Sequence, residues 1–344
     1  MDYSGLNAKI MAMREKLLTA SDYKRLCQSG SVESIARMLS EYPAYRDAIT
    51  QTLQLEIHRD ILEQKVLLSL SDDFINIYHF INDFRLRKYM KAFFLDFKLS
   101  IIKLLLCMLY DERDIGYSIP ELNKLIGSEL KIDASKLKTS KNAAEFIQNL
   151  RGTDFYSITK TFTSQSSLFE IEMQLDLYYY MNLWKQHRQY LDTINRKLME
   201  KISGSEIDLR NIMWVYRLKK YYNISNSNIY AYLIPISYRL KRVQLIRMVQ
   251  CPTISELISE IKNSPYSEVF GNFNNLENAF YKKMSKLYNS ASLFHPHSLA
   301  YTVGFVFFKE QEIRNLISLL EGVRYKLNPA EIMSYLNIPS AAGV

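Results

Sequence analysis

The sequence predicts an all-α protein, built as three similar helical modules in a pseudo-threefold funnel with a central cavity. Three observations lead there. Only 10 Gly and 8 Pro occur in 344 residues, too few turn-formers to punctuate many strands. Apolar residues recur at the i, i+3, i+4, i+7 spacing of amphipathic helices. Two independent landmarks also return with a period near 110 residues, the mark of an internally repeated architecture.

The first landmark is a helix led by a carboxylate. Asp96-Phe97-Lys98-Leu99-Ser100-Ile101, Asp208-Leu209-Arg210-Asn211-Ile212-Met213 and Glu312-Ile313-Arg314-Asn315-Leu316-Ile317 each place a basic residue two positions after the acid. Apolar residues follow at Leu209, Ile212, Met213 and Tyr216, and again at Ile313, Leu316, Ile317 and Leu320. The first copy is looser, and in this register Leu99 takes the place of Asn211 and Asn315. The second landmark is a short helix leading to a tyrosine: Tyr45, Tyr156 and Tyr266, spaced by 111 and 110 residues. Short helices after a turn near 123–126, 231–234 and 334–338 form a fainter third. The last of these opens with Asn328-Pro329-Ala330-Glu331, an N-cap followed by Pro at the first helical position and Glu at the third.

These landmarks divide the chain into repeat 1 (1–113), repeat 2 (114–223) and repeat 3 (224–344), the last with a C-terminal closing helix. Each repeat holds short helices, a long helix such as Glu170–Arg188, and the carboxylate-led helix.

Several function classes are excluded by what the residues do not form. The most apolar stretches, Ile101–Leu109 and Ala300–Phe308, fall short of the roughly 20 residues that a spanning helix needs. The start, Met1-Asp2-Tyr3-Ser4-Gly5, carries no basic segment followed by an apolar one, so secretion is not expected. Cys27, Cys107 and Cys251 are too dispersed for a disulfide framework or zinc knuckle and read as reduced thiols. No phosphate-cradling glycine loop occurs. Ser203-Gly204-Ser205 lacks the flanking glycine of a nucleophile elbow and reads as a helix start. His295-Pro296-His297 offers too few donors for a metal site and reads as another helix start. Asp72-Asp73 fails the third acid of a magnesium-binding aspartate motif, because Asn76-Ile77 stand there; Ser71-Asp72-Asp73 reads as an N-cap. The tyrosines at 178–180 and 221–222 could stack bases, but core packing accounts for the first run, and no nucleic-acid partner is expected. No catalytic residue, metal ligand or cofactor site emerges.

The net charge of +8 suits an acidic protein, anionic lipid or RNA without choosing among them. On residues alone, a basic all-helical adaptor or scaffold for an acidic protein partner stays open as the alternative function. A helical prenyl-transfer enzyme is disfavoured by the failed aspartate motif.

Two segments carry a resemblance. Gly204 through Tyr222 (GSEIDLRNIMWVYRLKKYY) and His295 through Leu327, with its HPHSLAY opening and FFKEQEIRNL core, are similar to the C-type stalk subunits of V-type (archaeal and bacterial A-type) ATPases, the d-type subunits of eukaryotic V-ATPases. The opening helix, from Tyr3 through Ala8-Lys9-Ile10, is also similar, with Lys9 where the family usually has Arg. The resemblance covers the whole chain, most clearly after residue 200. It implies a peripheral subunit on the cytoplasmic face of the membrane, with no active site of its own. Such a subunit links the central shaft to the proteolipid rotor ring and passes torque between them. It also implies structural roles for the motif residues Asp208, Asn211, Trp214, His295, Pro296, Glu312, Asn315 and Arg324. Arg210, Arg217 and Arg314, on the non-core face of the carboxylate-led helices, are the expected interface to the shaft. The plainer reading makes them ordinary surface charges, each contributing at most about 1 kcal/mol.

Overall fold

A computed structural model describes residues 3–50, 58–113, 116–127, 130–163, 166–222, 224–271 and 273–338. The described residues form eighteen α-helices and one short 3-10 turn, with no strand. The all-α expectation holds. The repeat boundaries at 114 and 223 fall outside the described residues.

The helices fall into three runs. The first is α1 (Ser4–Arg14), α2 (Ala20–Cys27), α3 (Val32–Glu41), α4 (Arg46–Thr50), α5 (Arg59–Phe80) and α6 (Phe84–Tyr110). The second is α7 (Ile119–Ile126), α8 (Ala134–Lys138), α9 (Ala143–Asn149), α10 (Tyr156–Thr159), α11 (Leu168–Tyr190) and α12 (Thr193–Lys220). The third is α13 (Asn226–Tyr232), α14 (Arg242–Gln250), α15 (Ile254–Lys262), α16 (Leu276–Phe294), α17 (Ala300–Arg324) and α18 (Pro329–Tyr335). Each run therefore gathers short helices and then two long ones joined by a tight connection.

Local chemistry explains the starts. Ser118 with Glu121 and Ser167 with Glu170 form capping boxes at α7 and α11. Asp83 and Asp192 accept the Leu86 and Asn195 amides at the heads of α6 and α12. Asn328 accepts the Glu331 amide with Pro329 next to it, as the sequence predicts. Such caps satisfy amides that a helix cannot pair internally.

The long helices pack in sequence. The hairpin α5–α6 lays α6 along α11, the hairpin α11–α12 lays α12 against α16, and the hairpin α16–α17 brings α17 back onto α5. The terminal helix α18 packs on α2, and α1 lies on α17. Phe74 of α5 stacks on Phe94 of α6 with ring centroids 4.3 Å apart, and Phe97 meets it edge-on at 5.1 Å. No helix among the described residues is long and apolar enough to cross a membrane. The three cysteines are unpaired, and Cys27 is buried.

Three local readings are corrected. Ser71-Asp72-Asp73 lies inside α5, where the Ser71 hydroxyl donates to the Lys124 carbonyl at 2.9 Å and Asp72 pairs with Lys124 at 2.6 Å. Tertiary partners thus absorb what looked like a cap. Ser203-Gly204-Ser205 lies in the middle of α12. A Cβ on Gly204 would stand 2.5 Å from the Tyr238 ring, so the glycine serves close packing, not helix initiation. His295-Pro296-His297 forms the turn between α16 and α17, and α17 begins only at Ala300.

Candidate functional site

The motif residues divide into two groups with different surroundings: buried clamps where one run of helices meets the next, and a set of charges from three different long helices.

Asp208 is 1% exposed. Its carboxylate accepts the backbone amides of Tyr238, Arg239 and Leu240 at 3.2, 2.7 and 2.8 Å, and the Tyr266 hydroxyl at 2.9 Å. Burial pushes its pKa up against these four lowering contacts. One turn on, Asn211 exchanges two hydrogen bonds with the Ile234 backbone, at 2.9 and 3.0 Å. One side-chain pair on α12 thereby fixes the loop that leads into α14.

Glu312 repeats the device on α17. It accepts the Leu18 amide and the Tyr45 hydroxyl, both at 2.5 Å, and the ammonium of Lys309 at 2.8 Å. Asn315 exchanges bonds with the Asn337 backbone at 2.9 and 3.2 Å. Leu18 precedes α2 as Leu240 precedes α14, so the end of the chain is clamped to its beginning by the same chemistry. Here a buried cation joins the clamp. Lys309, 1% exposed, also donates to the Tyr45 hydroxyl at 2.9 Å and lies 4.0 Å from Asp73.

The seam between α6 and the second run departs from this pattern, and the register read from sequence shifts by two. Burial along α6 matches α12 and α17 when Lys98, Ser100 and Ile101 align with Asp208, Arg210 and Asn211. Lys98 and Ile101, not Asp96 and Leu99, then stand where the clamp residues stand. The buried ring corresponding to Tyr45 and Tyr266 is Phe155, 1% exposed, whereas the Tyr156 hydroxyl donates to Gln148 on the surface.

The second group is charged. The Arg210 guanidinium donates to Glu206 at 3.0 Å through Nε and lies over the rings of Tyr180 and Phe280, 5.4 and 5.1 Å from their centroids. The Tyr180 hydroxyl donates to the same Glu206 oxygen at 3.1 Å. Arg314 donates to the Tyr281 hydroxyl and lies 5.4 Å over its ring. Burial pushes the Glu310 carboxyl up to about 8; Asp96 and Glu206 add to the effect, and Arg314 and Arg210 oppose it. Asp96 of α6, Glu206 and Arg210 of α12, and Glu310 and Arg314 of α17 therefore share one electrostatic neighbourhood. Sequence reasoning named both arginines and missed both glutamates, which stand two positions before each clamp carboxylate, at the same offset in α12 and α17.

The remaining motif residues stand apart. Arg217 pairs with Glu277 on the surface. Trp214 is half-buried and packs on the core. Arg324 is exposed, with its guanidinium 5.7 Å from the Tyr325 ring centroid. His295 and Pro296 are exposed, and the Pro296 carbonyl accepts the Asn7 amide nitrogen at 2.6 Å. Among the described residues, no group of three or more His, Cys, Asp or Glu side chains converges to hold a metal ion.

Similarity to known proteins bears on this arrangement. Residues 6–335 match the model of the ATP synthase (C/AC39) subunit family. The C-type subunit of the A-type ATP synthase of Methanocaldococcus jannaschii is 23% identical over 97% of this chain and 86% of its own length. Its counterpart from Methanococcoides burtonii is 23% identical over 98% and 94%, and that from Pyrococcus abyssi 25% over 96% and 89%. The chain belongs to the ATP synthase (C/AC39) subunit family.

Proposed function

We propose that this chain is the non-catalytic central-stalk subunit of a rotary V/A-type ATPase. It sits on the cytoplasmic face of the membrane as a socket between the central shaft and the proteolipid rotor ring. Torque passes through it during ATP-driven ion transport or ATP synthesis.

The observation that carries this reading is the convergence of Asp96, Glu206, Arg210, Glu310 and Arg314 from the second long helices of all three repeats. Arg314 is exposed and the Arg210 side chain keeps 28% exposure, yet the neighbouring Glu310 carboxyl is strongly desolvated. Water-accessible cations beside a desolvated acid suit the wall of a recess. A polar, charged wall suits a guest that must be gripped and kept in register, because complementary charge fixes orientation and partner choice. The order in which the long hairpins pack, with α17 returning onto α5, supports a funnel of three modules closed round an axis. Close-packed helices transmit strain with little compression, as a torque coupler requires.

The test is charge reversal at Arg210 and Arg314 together. Shaft affinity measured at low salt falls by about tenfold or more, with the melting temperature tracked alongside. Unchanged affinity in a folded double variant overturns the socket.

A further inference from the structure

The three connections between paired long helices lie at residues 80–84, 191–194 and 293–299. Direct hydrogen bonds gather them at one end of the bundle. Arg85 at the head of α6 donates to the Gln189 carbonyl at the end of α11, at 3.3 Å. The Leu299 amide donates to Asn195 Oδ1 at the head of α12, at 2.8 Å. Helix α1 straps the set. Asn7 donates to the Pro296 and Ser298 carbonyls, and Gly5 stands so close to Phe80 that a Cβ there would touch its ring at 3.7 Å. The tips thus form one surface, not three loose loops.

That surface is apolar where a folded chain normally is not. Phe80 is 46% exposed, Phe84 68%, Ile194 66%, Leu293 75% and Phe294 74%. Every exposed phenylalanine and leucine among the described residues lies on it. At the far ends of α6, α12 and α17 the exposed large side chains are instead tyrosines: Tyr110, Tyr221, Tyr222 and Tyr325. Isolated exposed apolar residues are ordinary, whereas a set gathered from three separate hairpins marks a contact surface. The charge around the tips is one-sided. Arg85, Lys88, Arg188 and Lys197 are exposed, with His79, His295 and His297 beside them. The carboxylates there, Asp83 and Asp192, are already engaged as helix caps.

We infer that this hairpin end is the face that docks on the water-facing end of the membrane ring. The matching ring surface presents apolar side chains flanked by carboxylates. The inference rests on the function proposed above and adds to it an orientation and a set of anchors. Phe84, Ile194, Leu293 and Phe294 enter the gaps between ring loops, and the four cations meet the acidic flanks. Charge complementarity selects an acidic partner. Three like tips around one end suit a partner that repeats, since a ring offers the same contact to each of them. The charge cluster about halfway along the helices stays free for the shaft.

The experiment uses the full chain, purified rotor ring in detergent and purified shaft. Phe84→Glu, Ile194→Glu and Phe294→Glu are combined in one variant, all at exposed positions. Ring affinity falls by at least about 30-fold, the loss expected when central apolar anchors are removed, while shaft affinity stays within about twofold and the melting temperature is unchanged. If the wild type binds the ring and the triple variant binds it equally well, this face is not the ring contact, and the proposed function survives. If the wild type binds neither ring nor shaft, both the function and the face are overturned. In a parallel arm, chain is sedimented with vesicles of phosphatidylcholine and phosphatidylglycerol. Vesicle binding that the triple variant abolishes, with ring affinity unaffected, makes the face a lipid contact and overturns the inference.

Discussion

The clamp on α12 and the clamp on α17 hold equivalent seams, yet one is a single buried carboxylate and the other a buried ion pair. Asp208 is satisfied by three backbone amides and a tyrosine hydroxyl, all neutral donors that offset its desolvation. Glu312 shares its work with Lys309 and so brings a second buried charge, with Asp73 alongside. A charge held by neutral donors needs no partner, whereas a buried pair must keep both members or lose both. The third seam, with Lys98, Ile101 and Phe155 in the clamp positions, is held without the carboxylate–asparagine device.

The largest expected effect breaks the simpler clamp. Asp208→Ala leaves three buried amides and the Tyr266 hydroxyl without their acceptor and lowers stability by about 3–5 kcal/mol, measured by denaturant unfolding. The ion-pair clamp behaves differently. Glu312→Leu alone, which strands Lys309, costs about 3–4 kcal/mol, whereas Glu312→Leu combined with Lys309→Met restores most of that loss. A double variant as unstable as the single one would show that the pair is not what couples these positions.

A smaller effect separates the two clamps by pH. Burial pushes the Asp73 carboxyl up to about 6, with Glu312 adding to the shift and Lys309 opposing it. The folded chain therefore holds this proton more tightly than the unfolded chain does. Stability from this group is greatest near pH 4 and is lost as pH rises through about 6. Asp73→Asn removes the loss, so the variant is more stable than wild type by about 1–2 kcal/mol at neutral pH, with the difference shrinking between pH 6 and 4. A difference that stays constant across that range contradicts the assignment. Smallest of all, Phe155→Tyr puts the hydroxyl of the other seams where no clamp carboxylate stands and costs about 1 kcal/mol. A gain in stability there would mean that the first seam holds an acceptor after all.

Much of the fold is written in local sequence. Ser167 with Glu170, and Asn328 with Pro329 and Glu331, announce their helices because capping is decided within one turn. Ser71-Asp72-Asp73 carries similar local chemistry inside α5, and only Lys124, 52 residues beyond Asp72, explains it. The clamps were partly legible. Asp208 with Asn211 and Glu312 with Asn315 recur at one spacing, and Tyr45 and Tyr266 recur with them. The first repeat misled because matching acid to acid selected Asp96, whereas burial selects Lys98; chemistry diverged at a position that geometry kept. Counting hydroxyls likewise chose Tyr156 over the buried Phe155. Glu206 and Glu310 escaped notice because their partners come from other repeats. The hairpin face was illegible for the same reason: Phe84, Ile194 and Phe294 are neighbours only once three hairpins are assembled.

The central claim is that the second long helices of the three repeats turn a shared charged wall toward a recess occupied by another protein. Photo-crosslinking amino acids placed singly at Asp96, Glu206 and Glu310, in the chain assembled with its shaft, test it most directly. The account predicts adducts to the shaft from all three positions and none from Arg217 or Arg324. Adducts confined to those outer positions, with none from the three inner ones, would contradict it.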